Sequence, residues 1–168
     1  MRVIVALLAL AFTTSVLYAQ SARVTGARIT GAGIYEQDGN LKTIQDKNLS
    51  SGRRTEMWTR LVTATTTIPL RDSTLFGATF DVLGSPKGAN VKLRAVWRYP
   101  SPGIVNPQTS AATFTDDVSV NAVIGGTRNT FYMDLGRSAA QLPSGVWVLE
   151  VWDGNRKLAT QNFTLVRQ

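Results

Sequence analysis

The sequence predicts an all-β sandwich, and three observations carry that expectation. Short runs of β-branched and aromatic residues recur about every ten residues, separated by glycine, proline, asparagine and aspartate. No amphipathic helix of useful length follows the N-terminal leader. The stretch from Leu142 to Val166 reads as a β-hairpin.

The hairpin is the clearest element. Val146 to Trp152 is dense in residues that suit a pleated, half-buried surface. Alternation puts Trp147, Leu149 and Val151 on one face, and Val146, Val148, Glu150 and Trp152 on the other. Asp153-Gly154-Asn155 supplies the positive φ that a tight turn needs. Leu158 and Phe163 in the return strand are an odd number of positions apart, so a β-bulge is expected between them, around Ala159 to Asn162. Two tryptophans on one strand suggest a ligand platform. The expectation adopted is different: Trp147 in the core and Trp152 partly exposed, because paired aromatics usually stabilise sheets.

The chain opens with Met1-Arg2 and an apolar run from Val3 to Phe12, followed by Thr13-Thr14-Ser15-Val16-Leu17-Tyr18-Ala19. This is the pattern of a secretory signal peptide over residues 1–19, cleaved before Gln20. The apolar run is too short to span a bilayer, and no later stretch has that length, so no membrane span is expected after cleavage. The mature chain of 149 residues suits one domain over 27–168, after a flexible start over 20–26. It lacks cysteine, so it has neither disulfides nor a thiolate nucleophile. Its 17 Lys+Arg against 11 Asp+Glu give +6, which favours an anionic partner such as a polyanionic glycan or an anionic surface. Export makes nucleic acid an unexpected partner. Localisation is expected to be periplasmic or secreted, with an envelope or extracellular partner.

Ala27 to Glu36 reads as a strand with Ile29 and Ile34 as its apolar residues. Gly31-Ala32-Gly33 superficially resembles a phosphate loop, but no helix pattern follows and the third glycine is missing. Glycines in a strand more often mark a bulge or close backbone approach. Asp38-Gly39-Asn40 is a turn that would lead to a return strand around Leu41 to Ile44, and Lys47 to Arg54 reads as a loop. Thr55 to Ile68 is a strand, bent if continuous, and Pro69 ends it. Leu75 to Leu83 alternates Phe76, Ala78, Phe80 and Val82 on one face. Gly84 to Asn90 is a turn.

Val91 to Tyr99 has the cleanest alternation. Val91, Leu93, Ala95, Trp97 and Tyr99 face one way; Lys92, Arg94, Val96 and Arg98 face the other. The three cations form a stripe. It is either an anion-binding surface or a solvated face that guards a sheet edge. Pro100 to Ser110 is a long stiff loop without a strand pattern. Lys92, Arg94, Arg98, Tyr99, Pro100 and Pro102 are therefore the candidate ligand-binding residues, with a cation and an aromatic at the base of a preformed ridge. Strand character resumes from Ala112 to Ile124, interrupted by Asp116-Asp117, then from Thr130 to Leu135, and Arg137 to Leu142 has room for one helical turn.

These strands, seven or eight in all, suit a sandwich or an oligonucleotide-binding barrel. The closing hairpin favours an immunoglobulin-like sandwich of antiparallel strands. Leu75-Phe76-Gly77, Gly84-Ser85-Pro86-Lys87-Gly88, Tyr99-Pro100-Ser101-Pro102-Gly103, Pro143-Ser144-Gly145-Val146-Trp147, Gly154-Asn155-Arg156-Lys157-Leu158-Ala159 and Phe163-Thr164 add a resemblance. The chain from about Ile34 onward resembles an uncharacterised family of small exported bacterial immunoglobulin-like domains. The resemblance implies a β-sandwich and an envelope or secreted location, and it implies no activity.

With no histidine and no cysteine, nucleophile–histidine catalysis is excluded and a zinc site is not expected. No cofactor is expected. Asp116 and Asp117 are adjacent, so on a strand they point to opposite faces and cannot pair as acid and base. In a loop they would be candidate calcium ligands, but no twelve-residue acidic loop surrounds them. Asn48-Leu49-Ser50 and Asn162-Phe163-Thr164 match glycan acceptor spacing, by chance if the host is bacterial. The favoured function is a non-catalytic exported binding or interaction module, not an enzyme. The alternatives are a polyanion-binding module and a hydrolase built on carboxylates.

Overall fold

The computed structural model describes residues 21–39, 42–45, 53–56, 59–105, 110–126, 129–136 and 138–167. The leader and Asn48-Leu49-Ser50 lie outside them.

Thirteen strands lie among the described residues: β1 (Arg23–Gln37), β2 (Lys42–Gln45), β3 (Arg53–Glu56), β4 (Thr59–Ala64), β5 (Thr67–Pro69), β6 (Leu75–Ser85), β7 (Asn90–Arg98), β8 (Ile104–Val105), β9 (Ala112–Thr113), β10 (Thr115–Val123), β11 (Asn129–Asp134), β12 (Gly145–Asp153) and β13 (Arg156–Val166). One sheet has the order β11-β6-β1-β4 and the other β10-β7-β12-β13-β5. Two small ribbons, β2-β3 and β8-β9, complete the set. The expected all-β sandwich is thus observed. Its two main sheets hold nine strands rather than seven or eight, and the β13–β5 pair is parallel. That pair arises because the threonine-rich segment breaks after Ala64, and β5 crosses to the opposite sheet.

The core sits between the sheets. Phe76, Ala78, Phe80 and Val82 of β6 are fully buried. They meet Leu93, Ala95 and Trp97 of β7, Trp147, Leu149 and Val151 of β12, and Phe163 and Leu165 of β13. Phe76 joins the layers: its ring centroid lies 5.4 Å from Trp97, 6.0 Å from Trp147 and 5.1 Å from Phe163, each in an edge-on arrangement that aromatic quadrupoles favour. Trp147 Nε1 donates to the Pro143 carbonyl at 2.9 Å, so its polar atom is satisfied in the core.

Several sequence expectations shift. Arg23 to Gly26, expected in a loose start, belong to β1, which pairs with β6 from Arg23↔Ser85 onward. The return strand near Leu41 exists as β2, but it pairs with β3 and not with β1. β8 lies within Pro100 to Ser110, expected to lack a strand pattern, and pairs with β9 in a short ribbon. Asp116-Asp117 do not interrupt a strand; they lie inside β10. The expected helical turn is a 3-10 turn at Ala139–Gln141.

The bulge in the last hairpin falls at Leu158, just before the expected window. Val151 pairs with Ala159 and Trp152 with Lys157, so Leu158 is the extra residue. Gly154 opens the turn at φ 56°. The glycines of β1 mark bulges and close approach, as strand glycines do: register shifts occur between Ile29 and Gly31 and between Ile34 and Tyr35. A Cβ on Gly33 would stand 1.9 Å from the Thr63 carbonyl oxygen.

Candidate functional site

The outer face of the five-stranded sheet carries a cluster of ion pairs. β7 lies between β10 and β12, so its cations are in the middle of a sheet and do not guard an edge. Strand register then decides their partners. Arg94 Nε lies 3.0 Å from Asp117 Oδ1 and Arg94 Nη1 donates to the Gly154 carbonyl at 3.0 Å. Arg98 Nε donates to Glu150 Oε2 at 3.1 Å.

Glu150 is the hub of this face. It is 5% exposed, and it also receives Trp152 Nε1 at 3.1 Å and Lys157 Nζ at 2.9 Å. Lys157 Nζ stands 5.6 Å from the Trp152 ring centre, close enough for a cation–π contact. Burial pushes the Glu150 pKa up. The hydrogen bonds from Lys157, Trp152 and Arg98, with the charge of Arg98, outweigh burial and hold it below its ordinary value of 4.5. Val96 is registered between Asp117 and Glu150 and is only 3% exposed although it points outward. It is flanked along the strand by Arg94 and Arg98, and arginine stems can cover apolar surface while their heads reach for charge.

The other candidates lie at the end of β7 and in the turn that follows it. Tyr99 is 6% exposed, packs edge-on against Trp147 at 4.6 Å, and donates its hydroxyl to Asp116 Oδ2 at 2.8 Å. It is a core residue rather than an aromatic offered at the base of a ridge. Asp116 is 2% exposed and registered with Trp97 on the core face, while Asp117 faces outward. Pro100 packs under the hairpin entry, where a Cβ on Gly145 would be 3.4 Å from its Cγ. Pro100 also accepts the Gly103 N–H at 2.8 Å, which closes the turn that holds Pro102.

Lys92, the remaining member of the stripe, is exposed. It borders a cleft of about 490 Å³ with Ala22, Arg23, Val24, Val91, Asp153 and Arg156. The cleft lies at one end of the sandwich because β1 and β7 both begin there and the β12–β13 turn closes there. Arg156 is held by the Val24 carbonyl at 2.6 Å and by Asp153 Oδ2 at 3.0 Å. The turn that brings Asp153 and Arg156 together was legible in the sequence; the approach of Arg23, more than a hundred residues away, was not.

Among the described residues the buried carboxylates are Asp116 and Glu150, and they sit on opposite faces of the five-stranded sheet, each engaged by donors. Among the described residues no group of three or more histidine, cysteine or acidic side chains has the geometry of a metal site. No described helix is long and apolar enough to cross a membrane.

No protein-family model and no curated protein matches the chain. Among solved structures, it is similar to an immunoglobulin-like protein from Pseudomonas aeruginosa, at 19% identity and a TM-score of 0.51. The match covers 79% of this chain and 96% of that one. At that identity the likeness concerns the fold, and it places this chain among immunoglobulin-like β-sandwiches.

Proposed function

We propose that this chain is an exported, non-catalytic binding module. The observation that carries the reading is the placement of its buried carboxylates. A carboxylate-dependent hydrolase needs two such groups facing each other across a substrate. Here Asp116 is turned into the core toward Tyr99, and Glu150 is turned outward under Arg98, Lys157 and Trp152. Each is engaged by donors that fix its position, as structural carboxylates are. The likeness to an immunoglobulin-like protein agrees with a module that presents surfaces on a rigid sandwich. Export rests on the leader over residues 1–19.

The test has two arms. Purified protein is immobilised, envelope extract is passed over it, and captured protein, glycan and lipid are identified with free protein as competitor. Saturable capture of one component supports the reading. In the second arm, glycoside and peptide panels are assayed. Turnover that disappears in both Asp116→Asn and Glu150→Gln would replace the module with a hydrolase. Export is checked by fractionation and N-terminal sequencing, with Gln20 expected as the first residue.

A further inference from the structure

We infer that the cleft between the start of β1 and the β12–β13 turn is a binding site for a phosphoryl dianion, either free phosphate or a phosphate monoester. The inference rests on the binding-module reading and names its ligand class. Three cations, Arg23, Lys92 and Arg156, line the cleft against one carboxylate, Asp153, a net charge of +2. Neither the Arg23 nor the Lys92 side chain has a hydrogen-bond or ion-pair partner among the described residues. This separates them from Arg94 and Arg98, whose charges are met by Asp117 and Glu150.

Convergence of unpaired cations is electrostatically unfavourable in the empty site and becomes favourable when an anion enters. Arg156 gives the cleft a rigid element. It donates to the carbonyls of Val24 and Thr25 and to Asp153, which fixes its guanidinium and ties the two sheets together. Those bonds leave two of its five N–H groups for a ligand. Arg23 approaches from the four-stranded sheet and Lys92 from the five-stranded one, so donors reach the centre from three elements. A tetrahedral oxyanion can meet donors from several directions, and a phosphate monoester carries about −1.5 to −2 at neutral pH, which matches the net charge. The volume, about 490 Å³, exceeds what a phosphoryl group fills and leaves room for the group that carries it.

The experiment is a calorimetric titration of the purified protein with inorganic phosphate, at constant ionic strength set by chloride. Glycerol 3-phosphate follows, and then phosphatidylcholine vesicles with and without phosphatidic acid. Saturable binding of phosphate is expected. Arg23→Gln and Lys92→Gln should each weaken it about tenfold, the effect of losing one charge-assisted hydrogen bond. Arg60→Gln is the control. Arg60 is exposed on β4 and pairs with Glu36 at 3.0 Å, so its removal lowers net charge equally but away from the cleft. Binding of glycerol 3-phosphate without vesicle binding supports a soluble monoester, and added binding to phosphatidic acid supports a headgroup. Equal weakening by Arg60→Gln, or no saturable phosphate binding, overturns the assignment. If wild type and the Arg23→Gln/Lys92→Gln double variant capture the same envelope component equally, the cleft assignment falls and the module reading stands. If neither captures any component and phosphate fails to bind, both fall.

Discussion

The hydroxyl of Tyr99 donates to the carboxyl of Asp116 across 2.8 Å inside the sandwich, with both residues almost fully buried. The two sit on neighbouring strands, β7 running into Tyr99 and β10 carrying Asp116, with the Tyr99 N–H bonded to the Phe114 carbonyl at 3.0 Å. Removing the hydroxyl leaves the carboxyl with one donor fewer in a place water reaches poorly. Tyr99→Phe should therefore destabilise the domain by about 1–3 kcal/mol. Urea unfolding measures this. A cost no larger for Tyr99→Phe in the wild type than in an Asp116→Ala background would show that the bond contributes nothing.

Glu150 should impose an acid dependence on stability. Its folded pKa lies below the ordinary 4.5, because the bonds from Lys157, Trp152 and Arg98 outweigh burial. Between the folded value and 4.5 the unfolded chain binds more protons than the native one, so stability rises with pH in that window. The contribution is complete above about pH 4.5 and is lost as pH falls through the folded value. Glu150→Gln should be less stable than wild type at pH 7, and the gap should close in acid. Stability curves measured at several pH values decide it; parallel curves would mean the carboxylate is not held this way.

The glycines of the sandwich should not be equivalent. A Cβ at Gly33 meets the Thr63 carbonyl at 1.9 Å, with φ at 156°, so the β1–β4 pairing would have to separate. At Gly154 nothing lies within 4 Å, and only the turn conformation, φ 56°, opposes a side chain. Gly33→Ala is expected to cost about 3 kcal/mol or more, and Gly154→Ala at most about 2 kcal/mol. Melting temperatures of the two variants rank them. The reverse order would contradict the β1–β4 register.

The two tryptophans of β12 should also part company. Trp147 is fully buried and its Nε1 is bonded to Pro143, so Trp147→Ala should cost about 3–5 kcal/mol. That is a large part of a small domain's stability. Trp152 is half-buried on the outer face, where its loss removes one donor from Glu150. Trp152→Ala should cost about 1–2 kcal/mol. Chemical unfolding of both variants provides the comparison, and equal costs would mean that the face assignment of β12 fails.

The alternation along the principal strands was readable from the chain before its fold, although several strand limits were not. Alternation at period two is a local property, so Phe76, Phe80, Trp97, Trp147 and Phe163 could be assigned to the core from spacing alone, and all five are buried. The turn at Gly154 was equally local, because few residues other than glycine accept its φ. The missing histidine and cysteine bounded the chemistry before any fold was considered. Tertiary structure decided which strands are neighbours, and with that the meaning of every charge. Lys92, Arg94 and Arg98 look alike in the sequence. Pairing of β7 with β10 and β12 sets Arg94 against Asp117 and Arg98 against Glu150, while Lys92 is left at the end of the sheet beside Arg23 and Arg156. Tyr99 changed role for the same reason: its alternation fixed the inward face, but only the packing of β10 showed that a buried carboxyl waits there for its hydroxyl. Periodicity acts over a few residues, whereas these partners are brought together by chain closure over distances that no local pattern encodes.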